Sequence, residues 1–350
     1  MTGENMGTIK EVRVDIPNHN HLTQVIVTVE TLEGNIGRGE AWWGIPNPSY
    51  PGSTSFPIAS VIENLITPHL IGKDSRTIEK HWFDIWDYGY RYADQGIFTM
   101  GLSGVDLALW DLLGKELNVP VAQVLGGVMH DGLPAYASLP PLRDPDLVVS
   151  EVRRAIESGF NAVKLHEIDP MYVHLLHNNF GDSLGIMVDV NGHFPLIEAI
   201  AFGKEISNRN IIWYEEPVRP MRDHKSIKKV SDQTGLPIAA GENEYTLNDF
   251  KNILESDSLT YLQPEITKIG GLTVAKRITG LTELYNTALC PHNFRIGPSL
   301  YASIHWAFSS PMATWIEVPW IQGSFAGGYS LPPISEGKVY LPEGNGLGLE

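Results

Sequence analysis

Residues 185–217, GIMVDVNGHFPLIEAIAFGKEISNRNIIWYEEP, decide how this chain is read. The stretch opens with a short apolar run, Gly185–Val190, that carries Asp189 near its end. A longer segment at helical spacing follows, and a second apolar run, Ile211–Glu215, then ends in Glu215 and Glu216. Strand, helix and strand, with an acid at each strand end, is the repeating unit of a parallel α/β structure.

The same unit recurs on both sides. Eight runs read as strands: Ala135–Leu139, Ala162–Leu165, Gly185–Val190, Ile211–Glu215, Ile238–Gly241, Tyr261–Leu262, Thr287–Cys290 and Trp315–Val318. Polar or charged residues stand at the C-terminal ends of seven of them. From His166 through Asp189, Glu215, Glu242, Lys268 and His292 to Glu317 the steps are 23, 26, 27, 26, 24 and 25 residues. Eight βα units of that length close a barrel of roughly 200 residues, and the chain from Leu133 to about Pro319 fits one. The N-terminal part reads as α+β. Thr23–Thr31 alternates and is β-branched, Glu33-Gly34 signals a turn, and Gly37–Trp42 reads as a returning strand. Gly44–Phe56 is a polar loop rich in Pro and Gly, and Ser60–Leu70, Thr77–Tyr90 and Met100–Leu117 read as helices. Gly328–Glu350 is too short to be a domain and is expected to pack back on the N-terminal part.

Composition narrows the function. Among 350 residues, 25 basic side chains against 41 acidic ones give a net charge of −16, with no basic stripe for nucleic acid. A local cation could still turn the field of a site towards an anionic substrate. The single cysteine, Cys290, excludes an intramolecular disulfide framework and suits a reducing compartment. Met1–Val12 is polar, with no apolar leader, and no stretch of about 20 apolar residues reads as a membrane span. A cytoplasmic protein without a membrane or nucleic-acid partner is expected.

Asp189, Glu215 and Glu242 each follow an apolar run and therefore point into the mouth of the barrel. Three carboxylates there repel one another and lose hydration, and a divalent cation removes both penalties. All-oxygen ligation favours Mg²⁺ over zinc. Lys164 and His166 end the second strand at positions i and i+2 and so face the same way. His292 ends the seventh, and a base on each face of a bound substrate is what proton transfer at carbon requires.

Taken together, these residues resemble the enolase superfamily, mandelate racemase-like subgroup. The resemblance lies in Gly101–Lys115 (GLSGVDLALWDLLGK), Val124–Gly127, Asp189-x-Asn191, Glu215-Glu216-Pro217, Gly241-Glu242-Asn243 and Lys268-Ile269-Gly270-Gly271. It implies an α/β architecture: an α+β capping domain (residues 1–127), a modified (β/α) TIM barrel (residues 128–325) and a tail (residues 326–350) on the capping domain. It implies Asp189, Glu215 and Glu242 as Mg²⁺ ligands, and abstraction of the proton α to a carboxylate through an ene-diolate. The second strand of that subgroup normally ends Lys-x-Lys. Here the second position is His166, so either His166 or Lys164 is the base. Glu265 takes the place of the aspartate that usually orients the seventh-strand histidine, here His292. Glu317 is implied to hydrogen-bond the developing enolate.

The Glu265–His292 pair favours a general acid, and so dehydration of a sugar acid to a 2-keto-3-deoxy sugar acid. Racemisation, epimerisation, lactone cycloisomerisation and a non-catalytic homologue are the alternatives. Substrate contacts are expected from Lys164, Asn191, His193, Asn293 and Arg295, and from the capping loops through His19, Asn20, His21, Trp42, Trp43 and Tyr50. The resemblance also implies a homo-oligomer.

Overall fold

The computed structural model describes residues 7–19, 22–42, 55–92, 94–320 and 329–349. Near the N-terminus, β1 (Ile9–Asp15), the short hairpin strands β2 (Asn18–His19) and β3 (Leu22–Thr23), β4 (Val25–Thr31) and β5 (Ile36–Ala41) follow one another. β1, β4 and β5 form an antiparallel sheet in that order. β1 was hidden in the sequence because its pairing register shifts between Ile9 and Glu11, which breaks the alternation a strand ordinarily shows.

Four helices follow: α1 (Ser55–Val61), α2 (Ile78–Gly89), α3 (Ile97–Leu117) and α4 (Val121–Val124). α1 begins within the segment read as loop and runs on as a π turn, Ile62–Ile66, and a 3₁₀ turn, Thr67–His69. By length and composition α3 could cross a membrane, contrary to the reading that no such stretch exists. Its most apolar window is 89% buried, and it packs on β4, β5, α1 and α2 as the spine of this part of the molecule. Two glycines set the closeness of that packing. A Cβ at Gly37 would lie 2.0 Å from the Ala108 carbonyl oxygen, and one at Gly39 would lie 2.1 Å from that of Gly104.

The barrel runs β6 (Leu133–Ser138), α5 (Pro145–Glu157), β7 (Ala162–Leu165), α6 (Met171–Phe180), β8 (Gly185–Asp189) and α7 (Leu196–Ile206). It continues through β9 (Ile211–Glu215), α8 (His224–Thr234), β10 (Ile238–Ala240), α9 (Leu247–Glu255) and β11 (Tyr261–Leu262). It ends with α10 (Gly271–Tyr285), β12 (Ala288–Leu289), α11 (Pro298–Phe308) and β13 (Ile316–Pro319). Neighbouring strands from β6 to β12 pair in parallel. β13 pairs with β6, and a Leu289–Ala313 bridge links β12 to the segment leading into β13, which closes the ring. Each of the eight strands overlaps a run read from the sequence. No helix follows β13 among the described residues. Instead β14 (Ile334–Ser335) and β15 (Lys338–Val339) form a hairpin that pairs antiparallel with the start of β6. The chain then reaches α3, where Leu347 N donates to Asp111 Oδ1 at 2.8 Å.

The Gly-Gly pair before α10 marks where α3 docks on the barrel. Asp106 on α3 accepts from Thr273 N at 3.0 Å and Thr273 Oγ1 at 2.6 Å, satisfying donors in the first turn of α10. Gly271 sits at φ +76° with no room for a side chain, since a Cβ would be 2.4 Å from Asp106 Oδ2.

Strand periodicity builds the site floor. Tyr136, Ala162, Met187, Trp213, Ala239 and Cys290 form one buried layer inside the barrel, joined at its edge by Tyr261 and Trp315. Two residues further along each strand the side chains face the same way again. Those positions hold Ser138, Lys164, Asp189, Glu215, Gly241, Gln263, His292 and Glu317. An apolar plug thus lies beneath a polar layer, with Tyr136 and Trp213 edge to face at 5.1 Å.

Candidate metal centre and active site

Asp189, Glu215 and Glu242 converge, with one carboxylate oxygen from each lying within 4.8 Å of the others. Asp189 and Glu215 end adjacent strands and are register partners, and Glu242 lies just beyond the end of β10. Like charges at that separation in a site shielded from water repel by about 3–4 kcal/mol per pair at an effective dielectric near 20. Burial, with the neighbouring Asp189 charge, pushes the Glu215 carboxyl up to about 8. This oxygen-only, crowded donor set suits a hard divalent cation.

The surrounding charges support the same fit. Around the cluster stand six carboxylates: Asp189, Glu215, Glu216, Glu242, Glu265 and Glu317. Four basic side chains face them, Lys164, His166, Lys268 and His292. With all six carboxylates ionised and both imidazoles protonated, two negative charges remain; a divalent cation would balance them and so favour the ionised forms of Glu215 and Glu216, which are raised without it. Burial and the charges of Glu242 and Asp189 raise the Glu216 carboxyl well above the usual range. One of its oxygens accepts from Asn243 Nδ2 at 2.8 Å, and the other is buried without a partner among the described residues.

Lys164 is fully buried. Its Nζ lies 2.7 Å from Glu215 Oε1, 2.8 Å from Glu317 Oε1 and 3.5 Å from Asp189 Oδ2. Glu317 also accepts from Asn293 N at 3.1 Å and from the Ser138 side chain. Glu215 Oε2 accepts from Trp213 Nε1 and Gln263 Nε2, both at 2.8 Å. Neither donor was singled out in the sequence. Both face into the barrel, and the two-residue β11 shows no alternation that would have marked Gln263.

His166 keeps 11% of its side chain exposed, and its Nε2 is 3.1 Å from Asp189 Oδ2. Its Nδ1 lies 2.5 Å from the Leu139 carbonyl oxygen. A carbonyl and a carboxylate both only accept, so in this arrangement both ring nitrogens carry a proton; burial opposes the charged form, but Asp189 outweighs it and raises the imidazole. His292 stands between two acids, with Nδ1 2.6 Å from Glu265 Oε2 and Nε2 2.8 Å from Glu242 Oε2. Burial works against its charged form, but Glu242, Glu317 and Glu265 outweigh it and hold the imidazolium far above the ordinary histidine range. The extra methylene of Glu265 is taken up without losing contact. Glu265 Oε1 is anchored by Thr267 N at 2.9 Å and Thr267 Oγ1 at 2.6 Å.

The expected substrate contacts divide. Asn191 turns back on Asp189, donating from Nδ2 to Oδ2 at 3.0 Å. His193 is exposed and packs edge to face on Phe194, apart from the cluster. Asn293 is buried, and its Oδ1 has no partner among the described residues. Arg295, expected to reach sugar hydroxyls, is instead 2% exposed and lies near Glu40 and Glu265. Trp42 covers Lys268, whose Nζ is 4.0 Å from the ring centroid and donates to the Glu242 carbonyl at 3.0 Å. The His19 backbone lies in β2, opposite Leu22. Asn20, His21, Trp43 and Tyr50 fall outside the described residues.

Fold and site together define a capped (β/α) barrel enzyme with a carboxylate cluster in its mouth. Residues 7–126 match the mandelate racemase / muconate lactonizing enzyme N-terminal domain, and residues 147–350 match the enolase C-terminal domain-like family. The chain belongs to the mandelate racemase-like branch of the enolase superfamily. It is 32% identical over 296 residues to a D-galactonate dehydratase of Pectobacterium atrosepticum, covering 80% of this chain and 73% of that one. The structure of a 3,6-anhydro-D-galactonate cycloisomerase from Zobellia galactanivorans superimposes with a TM-score of 0.88 at 28% identity, covering 98% and 96% of the two chains. A racemase from Streptomyces coelicolor with bound magnesium superimposes at 0.84 with 27% identity, covering 98% and 97%.

Proposed function

We propose that this enzyme dehydrates a sugar acid to a 2-keto-3-deoxy sugar acid, with Mg²⁺ held by Asp189, Glu215 and Glu242. The observation that carries the reading is His292, clamped between Glu265 and Glu242 as an imidazolium. A histidine held in that form is a proton donor at rest, which suits loss of a hydroxyl. The similarity to D-galactonate dehydratases points to the same substrate class.

His166 is the base in this reading and Lys164 is not. Lys164 is sealed among three carboxylates with no exposed surface, whereas His166 retains an open edge. Asp189, whose charge holds the imidazole protonated, would be taken up by Mg²⁺; His166 would then lose that proton to solvent at its open edge, leaving Nε2 to accept the proton from C2. Bound Mg²⁺ would supply positive charge against the substrate carboxylate as that proton leaves. The electron pair released at C2 forms the C2–C3 double bond as the C3–O bond breaks. His292 gives its proton to the departing hydroxyl, water leaves, and the enol rearranges to the 2-keto acid. Lys164 holds Glu215 and Glu317 in place. Glu317, Asn191 and Asn293 line the polar layer on which the substrate hydroxyls settle; the expected contacts of the His19 side chain and of Trp43 lie outside the described residues.

Cycloisomerisation is the second reading, favoured by the likeness to the Zobellia enzyme. Incubation of a sugar-acid panel in heavy water with Mg²⁺ separates the two. Keto acid formation supports dehydration. Deuterium at C2 of recovered or epimerised substrate, with no keto acid, would sink it, and a ring-opened isomer would move the assignment to cycloisomerase. The proposed homo-oligomer rests on the exposed apolar side chains Phe83, Tyr88, Tyr90, Tyr92 and Ile97 around α2 and the start of α3, and light scattering tests it.

A further inference from the structure

We propose that Arg295, backed by Glu40, is a positioning residue that holds Glu265 against His292. This inference rests on the reading of His292 as the acid that expels the hydroxyl. Arg295 follows β12 in the same loop as His292, is 2% exposed and lines a cavity with Glu40 and Glu265. Nη1 donates to the Phe294 carbonyl at 3.1 Å, and the guanidinium carbon sits 4.6 Å from the Phe294 ring centroid. The carboxylates whose charges act on it come from different domains: Glu40 from β5 and Glu265 from the loop after β11. All three groups line one cavity of about 10 Å³, room for a single water at most.

Both carboxylates are fixed on their far sides. Glu40 Oε1 accepts from Gln24 Nε2 at 2.7 Å, and Oε2 accepts from Ser299 N at 3.0 Å and Ser299 Oγ at 2.6 Å. Glu265 is tied to Thr267 and to His292 Nδ1. Burial lowers the Arg295 guanidinium to about 10, which still leaves it charged at neutral pH. Among the described residues lining this small space, Arg295 is therefore the one cation, and it shares the cavity with both acids. Burial raises the Glu40 carboxyl, opposed by its Ser299 and Gln24 hydrogen bonds and by the Arg295 charge; without that charge, Glu40 and Glu265 share a partly enclosed cavity in which repulsion is only weakly screened. The softer of the two anchors gives way, and Glu265 is drawn off the imidazole. A capping-domain strand thereby reaches the seventh-strand histidine through Glu40, Arg295 and Glu265, without touching substrate.

The test compares the parent with Arg295→Met, Arg295→Lys and the double variant Glu40→Gln/Arg295→Met. One readout is the downfield Nδ1–H proton resonance of His292 in protein with isotopically labelled histidine, assigned by its loss in Glu265→Ala. The other is the ratio of deuterium exchange at C2 to keto acid formed. Arg295→Met should displace or broaden the resonance and raise the ratio roughly tenfold, because proton abstraction survives while hydroxyl loss falters. Arg295→Lys, which keeps the charge, and the double variant, which removes the repulsion, should both return towards the parent. Arg295→Gln carries the Arg295→Met expectation where that variant does not fold. A folded Arg295→Met with the parent's resonance overturns the inference. So does a variant whose exchange and dehydration fall in proportion, or a double variant no better than Arg295→Met. If the parent itself neither exchanges nor dehydrates any sugar acid, the proposed function fails, while the resonance still decides the positioning role.

Discussion

Replacing Lys164 by methionine tests the charge balance of the barrel mouth. Methionine keeps nearly the length of the apolar stem and deletes the ammonium, so shape changes little and charge changes by one. The ammonium lies 2.7, 2.8 and 3.5 Å from three carboxylates and has no exposed surface. Each contact is worth about 5–6 kcal/mol of attraction at an effective dielectric near 20. Most of this is offset by stripping water from the ions. Removing one partner from a buried cluster nevertheless costs ~3–5 kcal/mol, because the others are left uncompensated. For a chain of this size that is a fall in Tm of about 4–7 °C.

Scanning calorimetry in EDTA reads this fall directly, and a Mg²⁺ titration then checks its sign. A cluster with one positive charge fewer attracts a divalent cation more strongly, so Mg²⁺ should raise the Tm of Lys164→Met by more than it raises that of the parent. Turnover should nevertheless remain low, since Glu215 and Glu317 lose the group that holds them. A variant whose Tm in EDTA stays within about 1 °C of the parent would show that the cluster is not charge-coupled, and the reasoning fails. A Mg²⁺-induced shift smaller than the parent's would refute it from the other side.

Three further outcomes are expected. EDTA should abolish keto acid formation and lower Tm, and Mg²⁺ at a hundred times its Kd should restore about 2.7 kcal/mol of stability; a Tm unmoved by EDTA and Mg²⁺ argues against a cation site. His305 is buried on α11, with Nδ1 accepting from Ala122 N at 3.1 Å, and burial depresses its imidazole to about 4. A depressed histidine stabilises the fold above its unfolded value near 6.5, and that contribution is lost as pH falls towards 4. Urea unfolding at pH 7 and 4.5 should therefore show the parent losing about 2–3 kcal/mol more than His305→Gln, and equal losses would contradict the assignment. Asp106→Ala strips Thr273 N and Oγ1 of their acceptor and should cost about 2–3 kcal/mol by the same urea assay, with an effect under about 0.5 kcal/mol counting against the helix-capping role.

The barrel was readable because each strand carries an apolar run and a polar end at near-constant spacing. That pattern survives even where the paired strand is only two residues long, as at Tyr261–Leu262 and Ala288–Leu289. The same shortness hid Gln263. A two-residue strand displays no alternation, so nothing in the sequence says that Tyr261 and Gln263 share a face. β1 was missed for a related reason, a register shift that interrupts its alternation. Asp189, Glu215 and Glu242 stood out because acids after apolar runs are conspicuous.

Arg295 was misplaced because its direction is a tertiary fact. Three residues beyond His292, it could as well have entered the mouth as turned beneath it, and only the buried Glu40 of a strand some 250 residues away settles which. Sequence spacing therefore locates acids far better than it locates the cations that neutralise them. The carboxylates of the mouth all come from barrel strand ends and the loops just after them, where spacing betrays them. Of the basic groups around them, Lys268 lies under Trp42, which follows β5 directly, and Arg295 shares a cavity with Glu40, within β5. The sheet that caps the barrel thus helps to set the charge inside it. A substitution on β5 should accordingly be felt at His292 even though β5 carries no group that reaches the carboxylate cluster among the described residues.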